Sequence, residues 1–459
     1  MAFFPVLQRA CRFALVIAAG IQLSLAAHPA RAAGGCTAGS RCLPVDTHGK
    51  PAPEPAPFVA QCTGKFPDFL APASYLAGPY TGPWFALSQN YPDAAPADTY
   101  PWLSIKFDQA DDYLYALRTY AFEGMIEADF VPQKNNVRPW FHMPLMNNGT
   151  GRREPIRGLT EERVVPGPEL GVKLHTGIHN YAVGFYNAAG ATAIAKVWKT
   201  GVPDISAVQF PEGAMSFKIL FSAGKPEDFS DPSSDPMTGA PEFKIMTNGG
   251  VTTVRLLQMD VAAVDKNSPT GWVFGTFAFD KTATDPVAWN RLRPVGMSWG
   301  NDFGYTPADQ AASKPLMESR VSSQVPPYAK SHLGWAGRPN GPVDNPISGC
   351  LSCHGTAEFP IAADLAPFGN FCNTDDKKML WFRTFKGDQP FGAVDTETCL
   401  PTAPAVPLKP LDFSLQMKVA VQNVLQFKLV NSCDPAAPTP LDVHELAVNP
   451  YADAPAVSR

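Results

Sequence analysis

The sequence predicts a mainly β, β-rich α+β protein: an antiparallel sheet or sandwich with few helices. Three observations predict it. Runs of β-branched and aromatic residues recur between positions 181 and 279, as strands require. The 459-residue chain holds 48 prolines and 36 glycines, which favours short elements joined by turns. One stretch alone, Asp108 to Ala121, has a clear helical period, and strands with so few helices between them pair antiparallel.

In order along the chain, residues 1–32 read as an export signal. Arg9 and Arg12 give a positive start, Phe13 to Ala27 an apolar core, and Ala30-Arg31-Ala32 a small-x-small cleavage site, so the mature chain is expected to begin at Ala33 in the periplasm. The apolar core is shorter than the ~20 residues of a membrane span, and no other span is expected in the mature chain. Residues 33–101 form a Pro/Cys-rich N-terminal segment read as wrapped on the surface. Residues 102–280 are the expected β-rich core. Its helix, Asp108 to Ala121, places Ala110, Tyr113, Leu114, Leu117 and Ala121 on one face, with Asp108 as the expected cap. Strands are expected at Tyr181–Tyr186, Ala193–Trp198, Ser216–Phe221, Val251–Val264 and Trp272–Phe279. Alternation is strict from Leu257 to Val261, and Leu256 beside Leu257 breaks its phase, which predicts a bulge there. Residues 281–349, rich in Pro, Gly, Ser and Asn, are expected to be a long functional loop. Residues 350–459 form a disulfide-stabilised C-terminal segment in which Phe413–Leu429 alternates like one or two strands, a helix being the competing reading.

Charge and cysteines narrow the class. A net charge of −5 argues against a nucleic-acid partner, which needs basic clusters. Of nine cysteines, Cys11 leaves with the signal. Cys36, Cys42, Cys62, Cys372, Cys399 and Cys433 are expected to form disulfides after export. Three lie near each end, so if all pair, at least one bond joins the two ends.

The remaining two cysteines open the motif Cys350-Leu351-Ser352-Cys353-His354. This is the attachment pattern of a c-type haem. Two thiols with two residues between them reach the two vinyl groups along one porphyrin edge, forming thioethers. The next residue then turns its imidazole to the iron. His354 is the expected proximal axial ligand, its second ring nitrogen hydrogen-bonded to a carbonyl or carboxylate. One motif predicts one covalent haem c, packed against the sheet under the long loop. The sixth iron position has several candidates, Met297, Met317, Met379 and His332, and no clear winner. His175 and His179 have i, i+4 spacing, but Gly177 between them disfavours a metal-binding helix. His142 sits in an aromatic stretch that reads equally as core.

Three segments precede the motif in a familiar order. Phe210-Pro211-Glu212-Gly213-Ala214-Met215-Ser216-Phe217-Lys218 comes first, then Val254 to Asp265, then Thr270-Gly271-Trp272-Val273-Phe274-Gly275. This order resembles a group of small periplasmic β-sheet c-type cytochromes that includes cytochrome c-prime-beta and the hydroxylamine-oxidising cytochromes whose haem is crosslinked to a lysine. The resemblance covers about a fifth of the chain. It implies an antiparallel sheet with the haem on one face, a ligand-accessible iron, and chemistry on nitrogen oxides or hydroxylamine. It singles out Lys218, which alternates with Phe217 and Ile219 and so faces away from them; an ordinary solvent-facing lysine is the alternative. This chain is longer than members of that group, and its gap before the haem motif is wider.

The expected function is therefore electron transfer by a periplasmic monohaem c-type cytochrome with a redox partner protein. A haem enzyme or sensor with an open distal site, binding a small gaseous ligand such as NO or acting on hydroxylamine, is the alternative. A haem subunit of a larger redox complex is the second. No catalytic residue is assigned.

Overall fold

The computed structural model describes residues 80–146, 153–170, 177–199, 203–247 and 250–427. The expected export signal, most of the N-terminal segment, His175, and Cys36, Cys42, Cys62 and Cys433 lie outside the described residues. Among the described residues no helix is long and apolar enough to cross a membrane.

One antiparallel sheet organises the fold. Its strands are β1 (Thr160–Glu161), β2 (Asn180–Tyr186), β3 (Met215–Ser222), β4 (Glu242–Thr247), β5 (Gly250–Val264), β6 (Trp272–Phe279), β7 (Leu292–Ser298) and β8 (Ser319–Val321). They pair in the order β1-β2-β3-β5-β6-β7-β8, and β4 pairs with β5. β5 is the backbone of the sheet. Its residues from Arg255 to Ala263 pair with β3 and those from Gln258 to Val264 with β6. The expected bulge is there: Leu220 faces Gln258 and Phe221 faces Leu256, so Leu257 has no partner on β3.

Register assigns the two faces. Phe185, Phe217, Val261 and Gly275 are successive partners, as are Val183, Ile219, Met259 and Phe277. This side is oily throughout. Helix α1 (Ala110–Phe122) covers it, and Leu114 lies so close to Gly275 that a Cβ there would fall 2.1 Å from its Cδ2. All five residues of the expected apolar face of α1 are buried. Asp108 is not its cap: a 3-10 turn, Phe107–Gln109, runs into the helix, and no side chain caps it.

The other face carries Tyr186, Ala262 and Phe274 in one row and Gly184, Lys218, Asp260 and Thr276 in the next. Its apolar part is covered by α2 (Ala188–Val197), the motif helix α3 (Cys350–His354) and α4 (Leu415–Phe427). Two expectations fail here. Ala193–Trp198 is mostly α2 and not a strand: Asn187 Oδ1 accepts the Gly190 N–H at 2.9 Å, and this N-cap opens an alanine-rich run of high helix propensity. Phe413–Leu429 is largely α4, capped by Ser414, whose Oγ accepts the Met417 N–H at 3.2 Å. Met417, Ala420 and Val421 are buried at helical spacing, and that period prevails over the apparent alternation.

The long loop is not structureless. Residues 281–349 supply β7 and β8 as well as short helical turns. Beyond them the chain is held by Arg338, a 3% exposed arginine. Its guanidinium donates to the carbonyls of Asn301, Trp335, Asp302 and Tyr305 at 2.8–3.0 Å. It also lies 4.4 Å from the centre of the Phe382 ring. Four carbonyls that no strand serves are thus satisfied by one side chain. The Cys372–Cys399 disulfide, with Cα atoms 5.4 Å apart, closes a loop within the C-terminal segment.

Gly334 fixes where this segment meets the motif. The N–H of the next residue, Trp335, donates to the Ser348 carbonyl at 2.9 Å, and a Cβ on Gly334 would lie 1.9 Å from that same oxygen. The obstacle is backbone and cannot rotate aside. Gly334→Ala is expected to lower stability by about 1–3 kcal/mol, read from the urea midpoint at unchanged m-value.

Candidate functional site

Helix α3 is a single turn. Its start is closed locally: the Gly349 N–H donates to Ser352 Oγ at 2.8 Å, and Ser352 Oγ donates back to the Gly349 carbonyl at 2.9 Å. One turn puts Cys350 and Cys353, at i and i+3, on one side of the helix. Both thiols are unpaired and partly exposed. Burial raises the pKa of both, that of Cys353 to about 11, and the Asp344 carboxylate adds to each. They are therefore neutral thiols at neutral pH.

His354 is oriented by a contact from far along the chain. Its Nδ1 lies 2.8 Å from the Phe413 carbonyl oxygen. A carbonyl only accepts, so Nδ1 carries the proton. Burial lowers the imidazole pKa to about 4, and the Lys218 cation pushes the same way, so the ring is neutral and its Nε2 lone pair has no hydrogen-bond partner among the described residues. Phe274 on β6 lies against the ring, with centroids 4.4 Å apart. A neutral imidazole tethered through one nitrogen and open at the other has the chemistry of an axial iron ligand.

The tether depends on an unusual turn. Asp412 and Phe413 both have left-handed backbones, with φ of 48° and 57°, at a cost of about 1–3 kcal/mol each. Asp412 holds the turn in place. Its Oδ1 accepts from Trp272 Nε1 at 2.8 Å and its Oδ2 from the Phe210 N–H at 2.7 Å. The turn that aims the Phe413 carbonyl is thus stapled to β6 and to the segment leading into β3.

Beside the motif, on the same sheet face, stands Lys218. Its Nζ is 3.6 Å from Glu162 Oε2 and 3.6 Å from Asp260 Oδ2. Desolvation alone would lower its pKa. The carboxylates of Glu162, Asp260 and Asp344 outweigh that and hold it above the ordinary lysine value. Gln258, fully buried, ties the acids together. Its Nε2 donates to Asp260 at 2.8 Å and to Asp344 at 3.0 Å, and its Oε1 accepts the Val343 N–H at 3.1 Å. Thr276 Oγ1 adds a third link, donating to Asp260 at 2.8 Å. Burial, and then the neighbouring Asp260 charge, raise the Asp344 pKa to about 7. Lys418 of α4, also close enough to act on Cys353, donates to the Thr356 carbonyl at 2.8 Å, and burial lowers its pKa to about 8. Nearby Glu358 is buried, with one carboxylate oxygen that has no hydrogen-bond partner among the described residues.

The other residues singled out from the sequence are placed as follows. Met297 is buried on the oily face, under α1, which puts the sheet between its side chain and the motif. Met317 is 70% exposed. His332 bonds through Nδ1 to the Tyr328 carbonyl at 2.6 Å. Met379 lies in a turn packed against α3, and its sulfur accepts the Gly304 N–H at 3.2 Å. His179 pairs with Glu161 at the surface, and buried His142 accepts the Ser88 N–H at 2.9 Å. Lys218 alone of the five sixth-position and distal candidates joins a charge network that reaches His354. Sequence reading missed its acids and the Asp412–Phe413 turn. Asp260 was within reach, because the alternation from Leu257 to Val261 puts it on the polar side with Gln258. Glu162, Asp344 and Asp412 carried no local signal.

A carboxyl whose pKa rises on folding stabilises the fold least where it must ionise. Asp344 titrates near 7 when folded and near 3.9 when unfolded. Its unfavourable contribution is therefore absent below pH 3.9, grows between pH 3.9 and 7, and is complete above pH 7. Asp344→Asn keeps the acceptor for Gly341 and Gln258 and removes the charge. It is expected to raise stability by about 1–2 kcal/mol at pH 8 and to leave it unchanged at pH 4, as measured by guanidinium unfolding at both values. Comparison of the chain with protein-family models, curated proteins and solved structures found no match.

Proposed function

We propose that this protein is a periplasmic c-type cytochrome carrying one covalent haem, and that it transfers electrons through that haem to and from a redox partner protein. One observation carries the reading: two unpaired thiols share a one-turn helix with a neutral imidazole whose Nδ1 is tethered to the Phe413 carbonyl and whose Nε2 is open. Cys350 and Cys353 would hold the porphyrin and His354 the iron. A haem bound there supplies a one-electron ferric–ferrous couple. The chain's own part is to keep His354 neutral, fix its tautomer, and surround it with Phe274 and the charges of Lys218, Asp260 and Asp344, which tune the potential.

A second reading, a haem enzyme or sensor with an accessible iron, is favoured by the Lys218 network. A lysine among three carboxylates beside the motif is an expensive arrangement for a passive carrier. It suits a small ligand such as NO or hydroxylamine that needs charge or protons nearby. In this network Lys218 is held as an ammonium, with no lone pair to bond a porphyrin carbon. Its supported role is that of a fixed cation, and a crosslink would first require loss of that proton.

Peptide mass spectrometry of protein exported to a periplasm tests the first reading. One haem is expected on the peptide holding Cys350 and Cys353, with both thioethers lost in Cys350→Ala/Cys353→Ala; an unmodified wild-type pair would overturn it. The reduced absorption spectrum separates the readings. A low-spin spectrum indifferent to CO and NO supports the carrier, and a high-spin spectrum that shifts with either gas supports the accessible iron. A haem-bearing peptide containing Lys218 would overturn the fixed-cation role.

A further inference from the structure

A cleft of about 1150 Å³ opens between residues 302–318 and residues 383–390. Two of its wall residues, Phe303 and Met317, are 65% and 70% exposed, an unfavourable placement for large apolar side chains unless something covers them. Phe385 lines the same cleft, half-buried. Its ring is 5.6 Å from that of Phe413 and lies against the motif: a Cβ on Gly355 would be 3.1 Å from it. Phe413 is the residue whose carbonyl holds His354. One wall of the cleft is thus two rings from the proposed iron ligand.

The cleft also has a polar handle. Arg383 is clamped by Nε to the Leu380 carbonyl at 2.8 Å and by Nη2 to the Phe391 carbonyl at 2.7 Å. Its Nη1 has no hydrogen-bond partner among the described residues, and the residue lines the cleft. A guanidinium fixed on two sides and open on the third can receive one carbonyl or acid oxygen. The volume lies just above the usual range of small-molecule sites, and aromatic rings with a thioether select a flat aromatic body.

We propose that this cleft binds a planar aromatic redox mediator of the quinone class, covered by Phe303, Met317 and Phe385 with one oxygen on Arg383, and that Phe385 and Phe413 connect it to the haem. The electron-transfer half rests on the haem reading; the binding half does not. A bound hydroquinone becomes the quinone by losing two electrons and two protons. Each ferric iron accepts one electron, so one hydroquinone reduces the haems of two protein molecules and its two protons pass to water.

The probe is 1,4-naphthoquinone-2-sulfonate, titrated calorimetrically into wild-type protein and into the haem-free Cys350→Ala/Cys353→Ala variant. Saturable binding to both is expected. Phe303→Ala/Met317→Ala, which changes only exposed positions, should weaken it at least about tenfold, and Arg383→Lys should weaken it as well. Absent binding, or affinity unchanged in the double variant, would overturn the site. For the connection, haem reduction by the hydroquinone form is followed at saturating probe. Phe385→Leu should slow it severalfold while leaving reduction by dithionite unchanged; equal rates would overturn the route. If the protein carries no haem, mass spectrometry shows it, and the binding arm is decided independently.

Discussion

Alternation along β5 is the constraint on which the rest of this structure depends. Successive side chains of a strand point to opposite faces, and β5 pairs with neighbours on both sides. Met259, Val261 and Ala263 therefore lie in one core with α1, while Ala262 and Val264 lie in another with α2, α3 and α4. Gln258 and Asp260 are carried to that second side. A slip of one residue would put the carboxylate of Asp260 into the oil beneath α1. The bulge at Leu257 lets the strand continue past β3 while the residues after it keep this phase.

The motif itself contributes little to its own placement. Five residues of helix cannot hold a geometry alone. The imidazole is oriented by Phe413, the turn bearing Phe413 is stapled by Asp412 to Trp272 and to the segment before β3, and the start of the motif is positioned by the Gly334–Arg338 segment. Buried polar groups do most of this work. Buried Arg338 and Gln258 and half-buried Asp412 each satisfy several partners at once, and a network of that kind specifies one arrangement when every member is paired.

The fold was legible where one physical signal dominated. Tyr181–Tyr186, Ser216–Phe221, Val251–Val264 and Trp272–Phe279 are strands because β-branched and aromatic residues alternate there, and the phase break at Leu256–Leu257 marks the bulge. Two helices were misread for the same reason. Ile194, Val197 and Trp198 have strand-like composition, but Asn187 and the alanines before them determine the local structure; around Met417 a short alternation masked a helical period. β7 and β8 were missed because Pro, Gly and Ser dominate their surroundings, and pairing with β6, not propensity, makes them strands. The motif stands in the sequence outright, whereas the acids around Lys218 come from the residue after β1, from β5 and from the segment before the motif, an assembly that exists only once the sheet has formed.

The turn at Asp412–Phe413 has a consequence for order in time. His354 and Phe413 are 59 residues apart in the chain, so the proton on the imidazole has no assigned nitrogen until α4 and its preceding turn have docked. A newly made chain therefore presents its two thiols as a local unit, while the histidine beside them is still free to rotate and to carry its proton on either side. Assembly of the site is in this sense two events: a local one written in five consecutive residues, and a conformational one that waits for the last described helix to find the sheet.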